Sequence, residues 1–73
     1  MKLSEMDFWE LRKAFRSKQV TITRKSGATV TGFLYEIENQ DDGWDDVVFM
    51  VETSKTGGED VYLADAKQID VIQ

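Results

Sequence analysis

Residues 19–38 read QVTITRKSGATVTGFLYEIE, and the order of apolar and polar positions in this stretch decides the fold class. From Gln19 to Arg24, Val20 and Ile22 alternate with Thr21 and Thr23. A period of two with β-branched residues suits a pleated strand. Lys25-Ser26-Gly27 interrupts that pattern, and Gly27 can take the positive φ a tight turn requires. A second strand is expected from Ala28 to about Glu38, broken by Gly32. A glycine inside a strand marks a bend or bulge, which a small sheet needs if it is to close on itself.

Downstream, the punctuation continues at hairpin spacing. Asn39 to Asp46 is a polar loop, and Val47 to Thr53 is an expected third strand, apolar enough to be buried on both faces for part of its length. Ser54 to Asp60, with Gly57-Gly58, reads as a second hairpin turn. Val61 to Leu63 is a short fourth strand, Ala64 to Gln68 a connector of about one helical turn, and Ile69 to Ile72 a fifth strand. Upstream, Phe8, Leu11 and Phe15 fall at i, i+3 and i+7, and Trp9 and Ala14 widen that stripe. Ser4 is the expected cap of a helix running to about Ser17, with Asp7 as an imperfect partner in a capping box.

One helix and five short strands joined mostly by hairpins predict a mainly β fold, a five-stranded antiparallel barrel (about 19–72) with one N-terminal helix (about 4–17) over an open end or one face. The 73 residues form a single domain, 1–73. Its expected core is Phe8, Leu11, Phe15, Val20, Ile22, Val30, Leu34, Val47, Phe49, Val51, Val61, Leu63, Ile69 and Val71.

Composition narrows the chemistry. There is no cysteine and no histidine, so disulfides, thiolate metal sites and the commonest neutral-pH base are excluded, and no cofactor is expected. No serine has a histidine to activate it, and no phosphate-binding glycine loop is present, so an enzyme is not expected. A core this small calls for a staple, and self-association is the one that remains. The longest apolar run, Val47 to Val51, is far too short to cross a bilayer. With no export signal in view, the expected compartment is the cytoplasm. Net charge is −5 but unevenly spread: residues 1–27 hold seven bases against three acids, residues 28–73 two bases against eleven. Opposite charge on the two halves favours head-to-tail contact between copies.

The spacing of Gly27, Gly32, Leu34 and Glu38, followed by Ile69 and Ile72 near the end, resembles the Sm-like family of small SH3-like barrels, which includes Hfq and the Lsm proteins. The resemblance implies the fold, a homo-oligomeric ring and an RNA-binding role. It departs from the family where Asp42 takes the place of the usual asparagine and Asp65-Ala66 that of the arginine-glycine pair. Those are the groups the family sets around a bound uridine.

Three surfaces carry candidate function. Arg12, Lys13, Arg16 and Lys18, with Arg24 and Lys25, could form a phosphate-binding patch for RNA, or a solvated helix face. In the loop, Asp41-Asp42-Gly43-Trp44-Asp45-Asp46 gathers carboxylates, but Phe49 stands where an EF-hand needs its last acid, so a solvated acidic turn is expected and no metal. Trp44, with Asp45 and Asp46, is either folded back on the barrel or an interface anchor for a basic neighbour. Phe33 and Tyr35, with Tyr62, could stack bases but are expected beneath the helix. The expected function is a non-enzymatic, self-associating interaction module with a protein partner. The alternatives are an RNA binder using the basic helix and a structural or regulatory subunit of a larger complex.

Overall fold

The computed structural model describes residues 2–54 and 56–72. A 3₁₀ turn at Leu3–Glu5 precedes helix α1 (Phe8–Phe15), and five strands follow: β1 (Lys18–Arg24), β2 (Thr29–Glu38), β3 (Val48–Glu52), β4 (Gly58–Tyr62) and β5 (Ala66–Val71). All pairings are antiparallel in one sheet of order β4-β3-β2-β1-β5. The strands expected from alternation are all present. β4 begins earlier than expected, at Gly58, so the glycine pair enters the strand; Lys55 in the turn before it lies outside the described residues.

The sheet is rolled. β4 and β5 are its opposite edges, yet only a 3₁₀ turn, Leu63–Asp65, connects them. In a flat sheet those edges would stand about 19 Å apart, whereas the four steps from Tyr62 to Ala66 reach at most about 14 Å. Across the seam Arg24 of β1 pairs with Glu59 of β4 at 2.9 Å, and the Lys25 amide donates to the Asp65 carbonyl at 2.8 Å. Among the described residues no backbone ladder joins β4 to β5. The expected barrel is therefore a curled sheet whose seam is held by side chains and a turn.

Two features of β2 make the roll possible. A Cβ on Gly32 would collide with the carbonyl oxygen of Glu52, so only glycine lets β2 and the end of β3 approach this closely. Two residues on, the register to β3 slips between Leu34 and Glu36, leaving Tyr35 as a bulge. The slip turns both Leu34 and Ile37 inward, which strict alternation forbids and which hid Ile37 from the sequence reading.

The helix is shorter than expected. Asp7, not Ser4, is its cap: the Asp7 carboxylate accepts from the Glu10 amide and the Glu10 carboxylate accepts from the Asp7 amide, both at 2.9 Å. Ser4 belongs instead to the separate 3₁₀ turn, while this reciprocal pair starts the helix. At the other end Arg16 is extended and Ser17 takes a left-handed conformation (φ 65°), turning the chain into β1. Eight residues do not hold a helix alone. Leu11, fully buried, with Phe8 and Phe15 partly buried, anchors it to the core.

The core also contains Leu3 and Ala66; Val48 is buried outside that cluster, and Val71 is exposed at the end of edge strand β5. Val47 and Leu63 are only partly buried. No helix among the described residues is long and apolar enough to cross a membrane.

Candidate interaction surfaces

The expected basic patch is divided by the fold. Arg12, Lys13 and Arg16 line one shallow hollow on α1 together with Trp9 and Ser17. Lys18 starts β1, and its ammonium donates to the Ala14 carbonyl at 2.8 Å, finishing the helix end. Arg24 and Lys25 lie at the other end of β1, about 20 Å along an extended strand. Six cations close in sequence thus form two separate groups.

Much of their charge is already used. Glu36, on β2 beneath the helix, takes Arg12 at 3.2 Å and Arg16 at 2.9 Å. Its side chain is about one-quarter exposed, so the contact is partly shielded from water. Arg24 is held by Glu59 across the seam. Among the described residues, every arginine has a carboxylate partner.

Trp9 is the residue that sequence reasoning misplaced. It was expected to widen the buried stripe, but it is 69% exposed. The helical wheel shows why. Leu11 and Phe15 lie within about 60° of Phe8, whereas Trp9 stands about 100° to its other side. Its ring meets Phe8 edge-on at 5.2 Å, and the Arg12 guanidinium lies 5.5 and 5.6 Å from the two ring centres. An aromatic ring, a stacked guanidinium and Lys13 together make a cationic, apolar-edged face.

The acidic loop is built around Trp44 folded back on the sheet. The loop opens with a 3₁₀ turn, Gln40–Asp42, which Asn39 caps, and Gly43 closes it with φ 95°. The indole N–H donates to Glu38 at 2.8 Å, and the ring meets Tyr62 edge-on at 6.2 Å. Glu38 and Tyr62 are the two cross-strand neighbours of Val48. Trp44 therefore roofs Val48, which accounts for a fully buried valine on the outer face of β3. Asp46 serves the fold as well, accepting from the amides of Val47 (2.8 Å) and Ala64 (3.0 Å). Asp45 stays exposed. Among the described residues no three potential metal-ligating side chains come together.

The strand aromatics do not lie together beneath the helix. Phe33 is half-buried, whereas Tyr35 is 44% exposed beside Glu52, Gly57 and Gly58 instead of lying beneath the helix. Tyr62 is engaged with Trp44.

Leu63 donates to Val47 at 2.8 Å, and bonded and non-bonded pairs alternate along an antiparallel ladder. Asp60 and Tyr62 of β4 accordingly turn their backbone groups away from β3. The same logic from the Ile72 amide to the Gln19 carbonyl (2.9 Å) turns those of Ile69 and Val71 away from β1. Val71 and Ile72 expose 44% and 49% of their surface beside that edge. No family model matches this chain, and no curated protein and no solved structure matches it.

Proposed function

We propose that the chain is a non-enzymatic, self-associating assembly module of Sm-like type, its copies joined edge to edge, β4 of one against β5 of the next. The observation that carries this reading is the pair of unpaired strand edges on a domain with a small core. An open edge is a template for another strand. β4 and β5 differ, so the contact between them is heterologous, and a heterologous contact that closes makes a ring. The exposed Val71 and Ile72 gain burial in such a contact.

Light scattering at micromolar concentration tests this directly: a multiple of the chain mass is expected, and a monomer removes the proposal. Asp60→Pro deletes an outward-facing amide at an edge position where proline is tolerated. It is expected to yield a monomer with an unchanged circular dichroism spectrum. If the basic and acidic halves also meet, added salt shifts the assembly toward smaller species.

The face of α1 favours a second reading, binding of single-stranded RNA. Exposed Trp9 beside Arg12, Lys13 and Arg16 has the ingredients of a stacking platform on a cationic surface. In a Trp44→Phe background, quenching of Trp9 fluorescence by oligouridylate is expected at low salt. It should be lost in the combined Arg12→Ala and Arg16→Ala variant. Absence of quenching at low salt ends this reading.

A further inference from the structure

The lysines are distributed unlike the arginines. Lys18 is bonded to a carbonyl, and Lys2, Lys13, Lys25 and Lys67 have no carboxylate partner among the described residues. Three of these four, Lys2, Lys25 and Lys67, line the same hollow of about 560 Å³ although they come from separate parts of the chain. The floor between them is apolar, formed by Leu3, Leu63 and Ala66. One carboxylate lies at the rim, Asp46, and its two oxygens already accept from the Val47 and Ala64 amides. In a chain of net charge −5, a gathering of unpaired ammonium groups around an apolar hollow lacks its counter-charge.

We propose that this hollow binds an acidic peptide segment bearing an apolar side chain. The apolar side chain enters between Leu3, Leu63 and Ala66, and its acidic neighbours meet Lys2, Lys25 and Lys67. Charge complementarity selects this occupant: the lysines are exposed, where they reach carboxylates that stay partly hydrated, while Leu3, Leu63 and Ala66 offer apolar burial beside the neutral side chains of Ser4 and Gln68. The site draws on the 3₁₀ turns and the start of β5, whereas the proposed assembly draws on the outward backbone groups of Ile69 and Val71 at its other end.

The test is titration of a blocked acidic pentapeptide with a central leucine into the isotope-labelled full chain, followed by amide chemical shifts. Saturable shifts at Leu3, Lys25, Leu63 and Lys67 are expected, and salt weakens them. The combined Lys25→Glu and Lys67→Glu variant keeps its folded spectrum and loses roughly tenfold in affinity. A peptide with glycine in place of leucine binds more weakly, and one with lysines in place of its acids does not bind. The proposal is overturned if the shifts map to the Trp9 face, if the glycine or lysine peptide binds equally well, or if the double variant retains full affinity. Oligouridylate occupying the same hollow more tightly than the peptide also overturns it, and assigns the lysines to nucleic acid.

Discussion

At the scale of single residues, Gly32 and Trp44 show how much of the fold depends on one side chain. Gly32 is required by proximity, not by an unusual backbone angle, since a methyl group there would enter the Glu52 carbonyl. Gly32→Ala must push β2 and β3 apart, so a loss of about 1–3 kcal/mol is expected in urea denaturation. An unchanged midpoint would contradict the close approach. Trp44 is half-buried and covers Val48 while hydrogen-bonded to Glu38. Trp44→Ala is expected to cost about 2–3 kcal/mol, less than a fully buried tryptophan. It should also speed amide exchange in β3, whereas loss of assembly with stability intact would assign the ring to an interface instead.

At the scale of the elements, α1 is an eight-residue helix that tertiary contacts keep in place. Its cap pair of Asp7 and Glu10 satisfies amides that would otherwise be orphaned. Asp7→Ala should lower stability by about 1 kcal/mol. Glu36→Gln weakens the two arginine contacts from β2 and is expected to cost about 1 kcal/mol or less, because the pairs remain partly hydrated. The same substitution releases two positive charges onto the Trp9 face. If that face meets RNA, Glu36→Gln should tighten binding while destabilising the fold; parallel loss of both would refute a cationic contact there. The amphipathic stripe showed that a helix exists here, but its boundaries depended on which of two caps, Ser4 or Asp7, found a reciprocal partner.

At the scale of the whole molecule, the nearly equal extents of 27 × 25 × 23 Å describe a roll and not a slab. One core cluster runs from Leu3 to Ile69 through every strand, so unfolding is expected to be a single transition with coincident far-ultraviolet and fluorescence midpoints. Amide exchange should be slowest in β1 and β2 and fastest in the outward amides of β4 and β5. Separate midpoints for helix and sheet would show that α1 is an appendage. The ion pair of Arg24 with Glu59 closes the seam from the outside, and solvent keeps its contribution small.

Strand count, hairpin order and the uneven charge were all determined by the sequence itself, because period-two alternation and turn residues are local properties of the chain. Other features rest on groups far apart in the chain. The bulge that buries Ile37, the Trp44 roof over Val48 and the exposure of Trp9 and Val71 emerge only when β2 bends and the sheet rolls. So does the division of one run of basic residues into two groups, along with the meeting of Lys2, Lys25 and Lys67 around one hollow. Spacing along a chain sets which face a side chain occupies, but which faces come together depends on long-range pairing and packing, and those exist only in the folded molecule.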